Sequence, residues 1–462
     1  MTNSTKQWIH MVGIAGAGMS GIATVLSQQG YRISGSDLQN SNITERLKKL
    51  GIEVYEGHSS SHVKEGVDLL VISSAIPSSN PELEFAQQKN IPVLKRGQML
   101  AQLVNDNKGI AVAGAHGKTT TTSMLCIILQ TCGLDPSFII GGEIQGTDAG
   151  SHLGKGDLYV VEADESDASF LNLKPYIAVV TNIENDHLDF YKSLDNIKNA
   201  FQKFISRIKP DGFALVYGDA METRELRNNT PTNVITYGEN EDNDYYMQDW
   251  ISTGKGSRFS IFRKEENMGS IELTVPGKHN ALNALAATIV ALRLGLNINE
   301  INSALKTFKG AKRRFEVIGS ENKITIVDDY AHHPTEIKAT INAAKNYHEG
   351  RLIVVFQPHR YTRTLSLGEE LGKSFSEADK TIFTEIYAAG EQPIPGISGK
   401  KVYKVAKDSG CESIFISCMD DIVDYLVKTS QENDLIITMG AGDIHKVGVK
   451  VIEQLRKSVI QA

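Results

Sequence analysis

Residues 110–120 read Ile-Ala-Val-Ala-Gly-Ala-His-Gly-Lys-Thr-Thr, and this run decides the fold class. Its small and apolar start fits a buried parallel strand. A tight turn follows from Gly114 through Ala115 and His116 to Gly117, and Lys118, Thr119 and Thr120 then open a helical stretch that includes the apolar residues 124–129. Such a strand–turn–helix aims backbone N–H groups and a helix N-terminus at one point, which suits a polyphosphate. A lysine adds a point charge there, and a threonine hydroxyl can complete a Mg²⁺ shell. The longer phosphate-loop pattern would need glycine where this chain has Val112, so the loop is a shortened variant. The expectation is a site for ATP or a close relative.

Upstream, Gly16-Ala17-Gly18-Met19-Ser20-Gly21 matches G-x-G-x-x-G between a predicted strand and a helix, and Asp37 follows the next strand. The glycines let backbone amides approach a diphosphate, and the Asp37 carboxylate can reach a ribose hydroxyl. No motif for hydride transfer accompanies the loop. A nucleotide-linked substrate therefore fits at least as well as NAD, and an oxidoreductase would leave the Lys118 loop unexplained. A purely nucleotide-sensing module would not need the acidic groups that come next.

Downstream, a predicted strand at 157–161 delivers Glu162, Asp164, Glu165 and Asp167, and another at 177–181 delivers Asn182, Glu184, Asp186, His187 and Asp189. Ligands of open α/β sheets bind at the carboxyl ends of strands, and carboxylates there suit Mg²⁺ shared with phosphates. Further on come Gly277-Lys278-His279-Asn280-Ala-Leu-Asn283, then Lys312-Arg313-Arg314, Asp328-Asp329-Tyr330-Ala-His332-His333 and Gln357-Pro-His359-Arg360-Tyr-Thr-Arg363. Arg360 and Arg363 can hold a carboxylate or phosphate bidentately. Arg313 reads equally well as a surface residue.

A chain of 462 residues exceeds a single core and calls for several domains. With 41% hydrophobic and 22% charged residues, its composition is that of a globular protein. A net charge of −7 offers no footprint for nucleic acid or an anionic membrane, so anionic ligands must be held by local cations and amides. Cys126, Cys132, Cys411 and Cys418 form no Cys-x-x-Cys motif, which points to reduced packing cysteines. Residues 9–26 are broken by His10 and several glycines, as befits a glycine-rich turn rather than a leader. No run reaches the roughly 20 apolar residues of a membrane span, and a cytoplasmic place is expected. Strand-like and helix-like runs alternate, predicting an α/β fold with mainly parallel sheets. Strands are predicted at 8–14, 31–36, 69–73 and 92–95, a linker at Asn105-Asp106-Asn107, and short polar strands across 245–275. A last set is predicted at 324–327, 352–356, 381–384, 413–416 and 435–438.

Taken in order, Gly-Ala-Gly-Met-Ser-Gly, Ser73-Ser-Ala-Ile76, Gly-Lys-Thr-Thr-Thr, Glu-Ala-Asp-Glu-Ser-Asp, Asn-Asp-His, Gly-Lys-His-Asn-Ala-Leu-Asn, Asp-Asp-Tyr-Ala-His-His-Pro and Gln-Pro-His-Arg make the chain similar to the ATP-dependent Mur ligases of cell-wall peptide synthesis. The resemblance covers nearly the whole sequence. It implies a Rossmann-like UDP-sugar domain at 1–107, a central P-loop-type ATPase domain at 108–312 and a Rossmann-like carboxy-terminal domain at 313–462. It implies ATP and Mg²⁺ as cofactors and UDP-N-acetylmuramate and L-alanine as substrates, with a ligase of a recovered tripeptide as the rival within the family. By the same resemblance, Gly16, Ala17, Gly18, Met19, Ser20, Asp37 and Ser74 would bind the UDP-sugar. Gly114 to Thr120, Asn280, Asn283, Arg314 and Asp329 would bind ATP, and Thr119, Glu162 and His187 would hold metal. Tyr330, His332, Arg360 and Arg363 would receive the amino acid. Lys118, Glu162, His187, His332, Arg360 and Arg363 would carry the chemistry. Several members of the family have a carbamoylated lysine where this chain has Phe201, so that modification is not expected here.

Overall fold

A computed structural model describes residues 6–145 and 150–460, and of Ala17, Asp189, Asn229 and residues 458–460 the backbone alone. Three sheets organise the chain. The first joins β1 (Trp8–Val12), β2 (Arg32–Asp37), β3 (Glu53–Glu56), β4 (Leu69–Ile72) and β5 (Val93–Lys95) in the order β3-β2-β1-β4-β5, all parallel. The strand order reverses between β1 and β4, so the loops that leave these two strands border one crevice. One carries Gly16 and Gly18, the other Ser73 and Ser74.

The second sheet comprises β6 (Lys108–Ala113), β7 (Ser137–Ile139), β8 (Ser151–His152), β9 (Leu158–Glu162), β10 (Ile177–Val180), β11 (Phe213–Tyr217), β12 (Val234–Gly238), β13 (Tyr245–Ser252), β14 (Ser257–Arg263) and β15 (Glu266–Leu273). Its order is β15-β14-β13-β12-β11-β10-β6-β9-β7-β8. The strand β6 lies between β9 and β10, parallel to both. It reads as a continuous apolar run because both faces are covered: Ile110, Ala111, Val112 and Ala113 are wholly buried.

The third sheet holds β16 (Glu316–Glu321), β17 (Ile324–Asp329), β18 (Leu352–Phe356), β19 (Lys380–Phe383), β20 (Ser413–Phe415) and β21 (Leu435–Met439), in the order β16-β17-β21-β18-β19-β20. Only the β16 pairing is antiparallel. Loops after β17 and β18 again leave neighbouring positions of one parallel edge.

By contacts the chain forms two compact units. The first and second sheets share one unit through β12, the third sheet belongs to the other, and residues 249–305 are divided between them. A single hydrophobic cluster runs from Ile9 and Ile22 through Ile139 and Val161 to Phe201 and Val216. The helix Ala17–Gln28 packs so closely on β7 that a Cβ at Gly21 would meet Ile139 Cγ2 at 2.9 Å. The third glycine of the motif therefore serves helix packing, and the strand it meets belongs to the second sheet.

The stretch Asn105-Asp106-Asn107, read above as a linker, is a helix-to-strand turn. Asn105 ends the helix Arg96–Asn105; its amide donates to Asn172 O (3.1 Å) and its oxygen accepts from Lys174 N (2.7 Å). Polarity there serves a tight junction rather than a flexible one. The sequence reading also passed over β3, β7, β8, β11, β12 and β16; the residues of β3 and β16 are half-exposed and lack a clear alternation. The strands expected across 245–275 are present as β13, β14 and β15. Among the described residues no helix is long and apolar enough to cross a membrane.

Candidate active site

The phosphate loop begins where β6 ends. Gly114 has φ +135° and Gly117 φ +81°, values that favour glycine. Space is as decisive: a Cβ at Gly114 would lie 2.1 Å from Thr181 Oγ1, and one at Gly117 would lie 2.5 Å from Asn283 Oδ1. Asn182, at the end of the neighbouring β10, clamps the turn by accepting from His116 N (2.9 Å) and donating to His116 O (3.0 Å). The helix Lys118–Thr131 then carries Thr119 and Thr120 in its first turn. Its fourth residue, Thr121, donates to Asn283 Oδ1 (3.2 Å).

Lys118 Nζ donates to Gly114 O (2.5 Å) and to Glu165 Oε1 (2.7 Å). Desolvation works against this ammonium, yet Glu165, Asp164 and Glu162 outweigh it and hold the lysine above its ordinary pKa. Glu165 is 3% exposed, and its Oε2 is buried with no hydrogen-bond partner among the described residues. A buried carboxylate oxygen of that kind is costly unless a cation completes it. Glu162 closes β9 and faces the bare backbone of Gly141, where a Cβ would meet Oε2 at 3.0 Å. Thr119 lies against Gly142 in the same way.

One cleft of about 330 Å³ is lined by Gly16, Gly18, Met19, Ser73, Ser74, Arg96, Leu100, Lys118, Ile139, Gly141, Glu162 and Asp164. The glycine loop and the phosphate loop, assigned from sequence to separate nucleotides, thus open into one space within one compact unit. Ser20 is buried in its helix and does not line the cleft. Nor does Asp37, whose Oδ2 accepts from Ala15 N (2.8 Å) and whose Oδ1 accepts from Leu38 N (2.9 Å). Its carboxylate here braces the glycine loop. His187 stands apart from this cleft, in a smaller cavity with Ala115, Glu165, Glu184, Asp186 and Phe201. Its Nε2 is 3.5 Å from Asp186 Oδ2 and 3.8 Å from Glu165 Oε1, so Glu165 is the group that touches both Lys118 and His187. Phe201 is 1% exposed and packs edge-on against Phe170.

The sequence reading missed Arg96. Its Nη2 donates to Asp164 Oδ2 (2.7 Å). Burial raises the Asp164 pKa, but the Arg96 guanidinium outweighs it and keeps the carboxyl below its ordinary range. Nothing local marks Arg96 in sequence, because its partner lies 68 residues away.

In the second unit, Asp329 ends β17 and accepts from Phe315 N and Ala331 N (each 2.8 Å). Burial raises its pKa to about 6 in spite of Arg314. Tyr330 lies under two guanidinium groups, Arg313 at 5.1 Å and Arg314 at 5.2 Å from the ring centre. Arg313, left open from sequence, also donates to Asp328 Oδ2 (2.8 Å) and Gly440 O (2.8 Å). Glu336 was not singled out from sequence, yet it organises this region. Its Oε1 accepts from Arg314 Nη1 (3.1 Å) and its Oε2 from His332 N (3.1 Å), with His332 Nδ1 3.2 Å away. Desolvation and the Arg314 charge push half-buried His279 down to about 4. Asn280, in the first turn of the helix Lys278–Arg293, donates to Pro276 O (2.7 Å). After β18, Arg363 Nη1 donates to His359 Nδ1 (3.2 Å), and the His359 ring stacks on Tyr387. Arg360 has φ +66°, and its Nε is buried with no hydrogen-bond partner among the described residues.

Three family models match the chain: the Mur ligase family catalytic domain over residues 8–108, the Mur ligase middle domain over 112–291, and the Mur ligase glutamate ligase domain over 313–442. The UDP-N-acetylmuramate–L-alanine ligase of Syntrophomonas wolfei is 58% identical over 464 aligned positions that cover 100% of both chains. The crystal structure of a UDP-N-acetylmuramate–alanine ligase from Thermotoga maritima superposes with a TM-score of 0.83 at 28% identity, covering 97% of this chain and 99% of that one. A murein peptide ligase from Psychrobacter arcticus gives 0.73 at 26% identity, with 97% and 98% covered.

Proposed function

The chain belongs to the Mur ligase family, and from that premise we propose that it joins L-alanine to the lactyl carboxylate of UDP-N-acetylmuramate with the cleavage of ATP. The observation that carries this reading is the shared cleft, where Gly16, Gly18 and Ser74 face the same space as Lys118 and Glu162. A sugar nucleotide whose diphosphate lies on the glycine loop would direct its far end toward the phosphate loop. With ATP as the phosphoryl donor, the reaction would take place in the cytoplasm.

Chemistry dictates the order of events. A free carboxylate is a poor acyl donor because oxide is a poor leaving group. Transfer of the γ-phosphoryl to the lactyl oxygen makes an acyl phosphate and ADP. The alanine amine then attacks the acyl carbon, the tetrahedral adduct collapses, and an amide and inorganic phosphate leave. In the first step two anions approach each other, and Lys118 neutralises charge on the transferring group. Exchanging its Glu165 contact for a phosphate oxygen keeps the lysine paired throughout.

The side-chain-free surfaces of Gly141 and Gly142, which face Glu162 and Thr119, fit a divalent cation and a polyphosphate. Thr119 and Glu162 would hold Mg²⁺, and His187 a second ion; such ions supply charge neutralisation in the transfer. Asn280 and Asn283 would face the adenine, Arg314 the nucleotide phosphates and Asp329 the ribose. Tyr330, His332, Arg360 and Arg363 would receive L-alanine, the arginines taking its carboxylate. The domain limits 1–107, 108–312 and 313–462 belong to the same proposal.

The test combines ATP, Mg²⁺ and UDP-N-acetylmuramate with L-alanine, glycine, L-serine or the recovered tripeptide in parallel. Phosphate release that requires both substrates, fastest with L-alanine, is the expected result. Equal or faster turnover with the tripeptide would assign the chain to the recycling reaction instead.

A further inference from the structure

Two charged residues of the shared cleft have no part in the scheme above. Arg96 opens the helix Arg96–Asn105, and its guanidinium lies directly on the glycine loop. A Cβ at Gly18 would meet Arg96 Nη1 at 3.1 Å and Cδ at 3.3 Å. Its Nη2 is held by Asp164 Oδ2 at 2.7 Å, with Ser169 Oγ at 3.4 Å and Asp167 Oδ2 at 3.9 Å. The Arg96 side chain is 15% exposed and that of Asp164 38%, so both groups border solvent in the cleft. Asp164 is itself fixed by Ser166 N on Oδ1 (3.0 Å). One planar guanidinium thus stands between an acidic loop and the amides of a diphosphate-type turn, and its fork geometry can serve a carboxylate or a phosphate.

We propose that Arg96 is exchanged between Asp164 and the diphosphate of the incoming sugar nucleotide. Asp164 is a positioning residue that holds the guanidinium beside Gly18 and is displaced when substrate enters. The inference rests on the reading that UDP-N-acetylmuramate lies on the glycine loop. It has a sign that a merely structural ion pair does not share: removing the Asp164 charge deletes a competitor for Arg96 and strengthens substrate binding.

Calorimetric titration with UDP-N-acetylmuramate, in the absence of ATP, reads this directly. Asp164→Asn is expected to tighten binding about fivefold, the scale of a partly exposed ion pair, and to lower the KM for the sugar nucleotide without lowering that for L-alanine. Arg96→Gln is expected to weaken binding by about tenfold or more, and Arg96→Gln/Asp164→Asn to match Arg96→Gln, because the aspartate acts only through the arginine. Asp164→Glu restores the wild-type affinity. Thermal unfolding accompanies each variant, and if Arg96→Gln does not fold, Asp164→Asn still carries the decisive sign. Unchanged or weaker binding by Asp164→Asn overturns the exchange while leaving the functional reading intact. Failure of the wild type to bind UDP-N-acetylmuramate overturns both.

Discussion

The cleft around Lys118 and the cluster around Glu336 are both dense in ionisable groups, yet burial and pairing balance differently in them. Around the phosphate loop, pairing prevails over burial. Lys118 is held above its ordinary pKa by Glu165 and its neighbours, and Asp164 below its own by Arg96, although desolvation opposes the shift at each. Around Glu336 the outcome is mixed: Glu336 holds Arg314 above its ordinary pKa against desolvation, whereas burial pushes His279 down to about 4 and Asp329 up to about 6, each toward its neutral form. A site that stabilises charge as it moves needs fixed, fully ionised groups. A site that grips an uncharged ribose can use neutral groups in a drier setting, beside the guanidinium groups that meet anions. The contrast is in keeping with the proposal that phosphoryl transfer belongs to the first region and recognition to the second.

The sharpest way to break that assignment is Lys118→Ala. Turnover should fall about 10³-fold or more, the loss of several kcal/mol of transition-state stabilisation. Affinity for UDP-N-acetylmuramate should stay nearly intact. Because Lys118 and Gly18 line one cleft, calorimetry with the mutant measures how separable the two functions are. Loss of sugar-nucleotide binding would show that they are not.

A second expected effect concerns the acidic loop. Glu162→Gln should raise the Mg²⁺ concentration needed for half-maximal rate by at least the ~10- to 100-fold that loss of an outer-shell partner costs. Glu165→Gln, which removes the contact to Lys118, should lower the rate with little change in that requirement. A reversed pattern makes Glu165 the metal ligand.

Smaller is the effect of Tyr330→Ala. Discrimination by shape amounts to about 1–3 kcal/mol per added methylene, so the preference for L-alanine over bulkier acceptors should relax within that range. Since Arg314 lies over the ring, the KM for ATP should rise as well. An unchanged acceptor profile would remove Tyr330 from the pocket.

The smallest effect is on stability. Asp329 titrates higher in the fold than in the unfolded chain. Its contribution is full below the unfolded value near 3.9 and is lost as pH rises through about 6. His279 titrates lower in the fold, so its contribution is present above about 6.5 and is lost as pH falls toward about 4. Denaturant midpoints compared at pH 5 and pH 6.5 should therefore shift in opposite senses for Asp329→Asn and His279→Gln. Shifts of the same sign would show that the two groups are not governed by burial.

The parts of this molecule that were legible in the sequence are those built from one local segment. The phosphate loop, the glycine loop and the strand ends at Glu162 and Asn182 declare themselves because a turn and its flanking apolar run are contiguous. Arg96 and Glu336 declare nothing of the kind: one reaches across to another sheet, and the other resembles any acidic residue in a first helical turn. Asp37 shows the converse. Its place after the second strand matches the dinucleotide pattern, but its carboxylate braces Ala15, which spacing alone does not reveal. The turn at Asn105 misled because polar residues serve a tight junction as readily as a tether.

The glycines of the phosphate loop have a consequence for pharmacology. Every surface that Gly114 and Gly117 offer is main chain, and any side chain added there would strike Thr181 Oγ1 or Asn283 Oδ1. A small molecule that gripped this turn through its amides alone would meet a target with few routes to resistance, since the obvious escape substitutions would first dismantle the turn itself.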